Sequence, residues 1–178
     1  MNWIKELDKI TKDVELIFSS LTATELSWKP NSESWSIAQN LEHLIVVNET
    51  YYPILSALKN GTYKQPLISN FGFIVSFFGK TVLKAVQPDR MKKMKTFPIW
   101  EPSNGEVKND ILLRFRNHQN ELKQQINDAE IFLNKGIVIA SPANRNIVYK
   151  LETAFDIIVT HEHRHLEQTK EVLKLLRK

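Results

Sequence analysis

Three of the chain's five histidines fall in the stretch THEHRHLEQT, from Thr160 to Thr169. An imidazole can ligate a metal, titrate near neutral pH or sit solvated at a surface. The residues around these three repeat in a helical pattern, and in a helix positions four apart share a face. His161 and His165 are such a pair, whereas His163 turns to nearly the opposite side. The face of the pair runs through Ala154, Ile157 and Ile158 before it and Gln168, Val172 and Leu175 after it. That stripe is mostly apolar, so the pair takes core-facing positions. His163, flanked by Glu162 and Arg164, reads onto a charged, solvated face. Two imidazoles one turn apart can grip a single metal ion. The alternative is that they hydrogen-bond to each other, to Gln168 or to buried water, because an unsatisfied buried polar group costs roughly 1–3 kcal/mol.

A third ligand would have to come from another helix, and His43 in WSIAQNLEHL is the candidate. It shares its helix face with Ser36, Gln39, Asn40, Val47 and Thr50, a polar row bordering the apolar stripe. Three neutral imidazoles describe an open site whose last position is left to water or substrate. A metal so held acidifies a bound ligand and polarises oxygen groups. Carboxylates or amides usually fix the imidazole tautomers from behind, and Gln39, Asn40 and Gln168 are placed to do so. No carboxylate shares the histidine face: Glu42, Glu162 and Glu167 point elsewhere by phase, leaving Asp89 or Glu101 as possible contributors from a loop. His118, among Arg116, Asn117, Gln119 and Asn120, reads as surface or groove.

The elements that must position these residues are helical. Trp3, Ile4, Leu7, Ile10, Val14, Ile17, Phe18 and Leu21 recur at steps of three or four, the mark of an amphipathic helix. LTATELSWKPNSES breaks it as an ordered connection. A second helix is expected from the SWSIAQNLEHL segment, with Ser34 or Ser36 as N-cap. Pro53 should kink or end that helix. From Gly61 to Gly105 the pattern is irregular, and two short helical pieces are expected around Ile74 to Val86. Ser103 and Glu106 have capping-box spacing before a third long helix carrying Val107, Ile111, Phe115, Leu122, Ile126 and Ala129. After the turn SPANRN at 141–146, the last helix is expected from about Val148 to Leu176. GIVIA at 136–140 is the one strand-like piece and is too isolated to predict a sheet. The pattern predicts an all-α protein: a four-helix bundle with an irregular insertion between its second and third long helices.

Composition narrows the chemistry. The 178 residues are enough for a single domain, 1–178, with a sizeable core. There is no cysteine, so disulfides, thiolate ligands and a cysteine nucleophile are excluded. Lysine and arginine number 24 against 20 acidic residues, and the densest basic run, RMKKMK at 90–95, lacks a nucleic-acid motif around it. No nucleic-acid partner is therefore expected. FGFIVSFF at 71–78 is too short for the about 20 residues a membrane span needs. With no secretory signal at MNWIKELDKI, a cytoplasmic protein without a membrane partner is expected.

Two motifs together resemble the DinB/YfiT-like metal-binding bundles of the DinB superfamily. LTATELSWKPNSESWSIAQNLEHL at 21–44 is similar to that family's tryptophan-rich entry to its second helix. HEHRHLEQ at 161–168 is similar to its C-terminal H-x-x-x-H followed by glutamine. Arg164 departs from the second histidine many relatives carry there, and SPANRN lacks their glycine. The resemblance implies an up-down-down-up bundle, a metal triad at His43, His161 and His165, one divalent ion such as zinc or nickel, and a homodimer. It further implies a small-molecule substrate and a metal-dependent transferase using a low-molecular-weight thiol such as bacillithiol or mycothiol, or thiol-dependent isomerisation. A metal-dependent hydrolase and a non-catalytic, metal-stapled module are the alternatives. For a transferase, a chain without cysteine would take its sulfur from that cosubstrate. Phe71, Phe73, Phe77 and Phe78 are candidates to wall an apolar substrate pocket, or to pack over the bundle end.

Overall fold

The computed structural model describes residues 1–89, 96–102 and 110–178. The basic run at 90–95 and the capping box expected at Ser103 and Glu106, with Val107, lie outside the described residues.

Helix α1 spans Trp3–Phe18 and buries Leu7, Ile10, Val14 and Phe18, the spacing that its sequence repeats. The connection after it contains a short helix, α2 (Ala23–Ser27). Thr22 and Glu25 close a reciprocal capping box there. Helix α3 (Ile37–Glu49) starts at Ser36, whose side chain accepts from the Gln39 N–H while the Gln39 side chain accepts from the Ser36 N–H. Ser36, and not Ser34, is thus the cap. The helix stops at Glu49, and α4 (Tyr52–Lys59) restarts with Pro53 in its first turn, where a missing N–H costs nothing. The early end expected at Pro53 is present, as a break between two helices.

Helix α5 (Gly72–Ala85) is one continuous 14-residue helix where two short pieces were expected, and a 3-10 turn at Leu67–Asn70 leads into it. A second 3-10 turn spans Pro98–Trp100. Helix α6 (Ile111–Asp128) follows, then the single turn α7 (Glu130–Leu133). Strands β1 (Val138–Ser141) and β2 (Asn144–Lys150) pair antiparallel, with Ile139 opposite Tyr149 and a register irregularity at Ala140/Ser141. This corrects the reading of GIVIA as isolated. Its partner strand was hidden because Val148 and Tyr149 continue the apolar rhythm of the helix behind them. The hairpin is stabilised by α5, which closes a small core with Val75 against Val138, Ala140 and Val148. Helix α8 (Leu151–Leu176) completes the chain.

The protein is mostly helical. Helices α1 and α6, α6 and α3, α3 and α8, and α8 and α1 are packed neighbours, so α6 and α8 face each other across a bundle. Its apolar interior divides into a cluster around Leu7, Leu122, Phe155 and Ile158 and another around Ile10, Phe18, Leu41, Phe115 and Leu166. No helix is long and apolar enough to cross a membrane.

Helix α8 is enclosed on more sides than its sequence pattern implies. Glu162 is fully buried and Arg164 is 9% exposed, although both read as solvated. Glu162 points to the bundle interior. Arg164 lies under α5 and donates to the Ala85 carbonyl at 2.8 Å. His163 is half-buried, 2.9 Å from a Glu6 carboxylate oxygen on α1. Leu175, placed on the core stripe by phase, is 45% exposed near the free end.

Candidate metal centre

His43 comes from the middle of α3, and His161 and His165 from successive turns of α8, the neighbour it packs against. Their Nε2 atoms converge: His165 to His161 at 3.0 Å and His43 to His161 at 3.5 Å. Each offers one ligand atom, and all lie within 4.8 Å of one another. His43 and His165 are buried and His161 is half-buried.

The opposite edges of two rings are committed. His43 Nδ1 lies 2.6 Å from the Trp100 carbonyl oxygen, which can only accept, so Nδ1 carries the proton. His165 Nδ1 lies 2.8 Å from Asn40 Oδ1. The Asn40 amide is oriented by its own Nδ2, which donates to the Ser36 carbonyl at 2.8 Å, so His165 Nδ1–H is a donor as well. Both Nε2 atoms therefore present bare lone pairs to the third imidazole. A single His161 proton can satisfy one of them at most.

Protonation does not resolve this crowding. Burial pulls the His43 imidazole down to about 4, against the opposing effect of its bond to Trp100. Burial and then the His43 and Arg164 charges bring His161 to about 3. His165 is pushed well below its ordinary value, by burial first and by His161 and His43 next. Three neutral imidazoles whose Nε2 atoms converge, two of them with bare lone pairs, suit a cation. Tetrahedral zinc with Zn–N of 2.0–2.1 Å spaces its nitrogens about 3.3–3.4 Å apart, close to the His161–His165 and His43–His161 separations of 3.0 and 3.5 Å. The residues fit a divalent ion.

Of the three side chains expected behind the ligands, Asn40 takes that place, holding His165. Gln39 is occupied as a helix cap, and the Gln168 side chain makes no hydrogen bond among the described residues. Two residues were not anticipated from the sequence. Trp100 reaches back from the insertion to hold His43 through its carbonyl, while its own Nε1–H donates to Thr50 Oγ1 at 3.3 Å. Trp35 covers the pair from the other side, its ring 4.8 Å from that of His43 and 6.0 Å from that of His165. Trp35 lies inside the tryptophan-rich entry motif, which was its only signal. A backbone carbonyl such as that of Trp100 leaves none.

No carboxylate joins the three histidines among the described residues. Glu42 lies 3.6 Å from Arg114, Glu162 is held by amides and Glu167 pairs with Lys170. Glu101 is exposed next to Trp100, and Asp89 is exposed at the end of the α5 segment. Phe71, Phe73 and Phe77 do not wall the site either, being 54%, 75% and 64% exposed. A surface groove of about 520 Å³ lined by Glu49, Tyr52, Ser56 and Glu121 shares no residue with the triad.

His118 is the main correction. Read as surface, it is 4% exposed and belongs to a second buried polar cluster. Its Nε2 lies 3.2 Å from Asn48 Nδ2 and its Nδ1 3.4 Å from the Tyr52 hydroxyl. Asn48 Nδ2 also donates to Glu162 at 2.8 Å, and Gln119 Nε2 donates to both Glu162 oxygens at 2.8 and 2.9 Å. Burial lifts the Glu162 carboxyl to about 7, opposed by these amides, and brings His118 down to about 4.

The protein is a helical bundle in which three histidine nitrogens from two of its helices face one another and could hold a metal ion. The chain belongs to the DinB superfamily, whose family model matches residues 6–169. No curated protein sequence and no solved structure matches the chain significantly.

Proposed function

We propose that this protein is a metal-dependent transferase that joins a low-molecular-weight thiol to an electrophilic carbon. His43, His161 and His165 would hold one divalent ion, zinc or nickel. The observation that carries the reading is the convergence of three neutral imidazole nitrogens with no carboxylate beside them. A bound divalent ion would supply the Lewis acidity that makes a thiol ionise near neutral pH.

The chain's own residues set the conditions for that chemistry. The Trp100 carbonyl and Asn40 Oδ1 hold two imidazoles in the tautomer that exposes Nε2. Trp35 and the buried flank of α3 exclude water from one side and keep the local dielectric low. The reaction consumes a thiol and an electrophile and yields a thioether, with the thiol proton leaving on the displaced group. Hydrolysis would ordinarily need a general base beside the ion. The triad has no such carboxylate among the described residues, which favours transfer.

The test is turnover by the zinc- or nickel-loaded protein, with bacillithiol, mycothiol or glutathione offered against electrophilic and acyl substrates. Loss of thiol in step with loss of electrophile is expected. Thiol-independent cleavage of the acyl substrates would overturn the reading in favour of a hydrolase.

A further inference from the structure

Helix α5 carries an outward stripe that neither the bundle nor the histidine site uses. Phe73, Phe77, Lys80 and Lys84 recur at helical spacing on one face, and all four are exposed. Phe71 packs edge-on against Phe73 with ring centroids 6.4 Å apart, and Leu67, in the preceding 3-10 turn, is 86% exposed. The opposite face of the helix is fixed in place. Val75 lies in the small core against β1 and β2, and a Cβ on Gly79 would come within 3.2 Å of Thr153 Cγ2 on α8. Arg164 ties down the last turn through the Ala85 carbonyl. The helix is therefore held with its phenylalanines turned outward.

The charge around the stripe has one sign. No Asp or Glu occurs between Thr50 and Pro88, while Lys59, Lys64, Lys80 and Lys84 do. Lys59 pairs with Asp128, but Lys64, Lys80 and Lys84 have no ion pair among the described residues. On one face this helix offers a lipid surface exposed rings for its headgroup boundary in the first turns and unpaired lysines for its anionic charge in the last. We propose that this face docks on an anionic lipid surface, with Leu67, Phe71, Phe73 and Phe77 entering the headgroup boundary and Lys80 and Lys84 meeting lipid phosphates.

A second copy of the chain fits this face less well. A two-fold contact sets a patch against itself, and here it would bring lysines together with no acid from the segment to pair them. The shortness of the FGFIVSFF segment excludes spanning, and it led to the expectation of no membrane partner. Lying on a membrane requires no such length, and the proposal departs from that expectation on this ground.

The experiment is co-sedimentation of the full-length protein with phosphatidylglycerol vesicles and with phosphatidylcholine vesicles, at low and high salt. Binding to phosphatidylglycerol that weakens with salt is expected. Lys80→Glu/Lys84→Glu and Phe73→Ser/Phe77→Ser should each weaken it by about tenfold or more while the helical circular dichroism stays unchanged. Three results would overturn the proposal. One is failure to bind phosphatidylglycerol, another equal binding to both vesicles. The third is a dimer in sedimentation velocity that Phe73→Ser/Phe77→Ser dissociates.

Discussion

Two polar clusters are cut into the apolar interior of this bundle, and they begin at adjacent residues of one helix. His161 turns toward α3 and meets His43 and His165. Glu162, one step on and about 100° around the helix, turns across the bundle and meets Asn48 and Gln119. The second cluster matches donors to an acceptor: amide N–H groups from α3 and α6 converge on one carboxylate from α8. Among the described residues only two of its buried atoms, Asn48 Oδ1 and Gln119 Oε1, lack a partner. The first cluster does the reverse. It turns the Nε2 lone pairs of His43 and His165 toward the third imidazole and engages their N–H edges elsewhere. One arrangement sets donors around an acceptor and joins three helices; the other gathers acceptor nitrogens that a cation would satisfy. Equal burial of polar groups thus separates a structural network from a binding site through the balance of donors and acceptors.

The sharpest way to test that contrast is to remove one histidine. His165→Ala should abolish binding of zinc or nickel, read by elemental mass spectrometry after reloading, while the metal-free protein keeps its melting temperature or gains slightly. Metal retained at wild-type stoichiometry would break the comparison. The corresponding change in the other cluster acts on the fold. Glu162→Ala removes the acceptor of the buried Gln119 amide and one of the two acceptors of Asn48, and should cost roughly 3 kcal/mol in denaturant unfolding. A variant as stable as the wild type would show that the second cluster does not join the helices.

Asn40→Ala removes the hydrogen bond behind His165 and should weaken metal affinity by about 10–100-fold in a competition titration. Stability without metal should change far less. The smallest net effect concerns pH, where two opposed slopes largely offset each other. The Glu162 carboxyl lies at about 7 in the fold against 4.5 ordinarily, so between those values the folded state holds the extra proton. Its contribution to stability is full below pH 4.5 and is lost as pH rises through 7, by at most about 1.4 kcal/mol per pH unit. His118, at about 4 against 6.5, has the opposite sign, and its contribution is lost as pH falls from 6.5 to 4. Glu162→Gln should remove the first slope and leave the second. Metal-free unfolding curves of that variant should therefore weaken more steeply on acidification than those of the wild type.

The legibility of the two clusters differed for the same reason. Helical phase on α8 pairs His161 with His165 with no knowledge of the partner helices, and the polar row on α3 singles out His43. Phase also places Glu162 off that face, but it cannot say what lies on the other side. Glu162, Arg164 and His118 carry charge or hydrogen-bonding groups, and in sequence such residues read as solvated. They are buried because Glu162 lies between α3 and α6, Arg164 under α5, and His118 against Asn48 of α3 and Tyr52 of α4. The hairpin was missed because Val148 and Tyr149 fall in phase with the apolar positions of α8 just beyond them. Trp100 was missed because a carbonyl oxygen belongs to every residue alike.

Local chemistry written along the chain determined the helices, their caps at Thr22 and Ser36, the break before Pro53 and the pairing of His161 with His165. These depend on backbone hydrogen bonding and on a period of 3.6 residues, both of which act over a few neighbours. Only the tertiary structure decided which polar groups became buried, which nitrogens faced one another and which phenylalanines stayed outside. Those outcomes depend on what packs against each face, and contacts between residues more than a hundred positions apart, such as His43 and His161, leave no periodic trace in the chain.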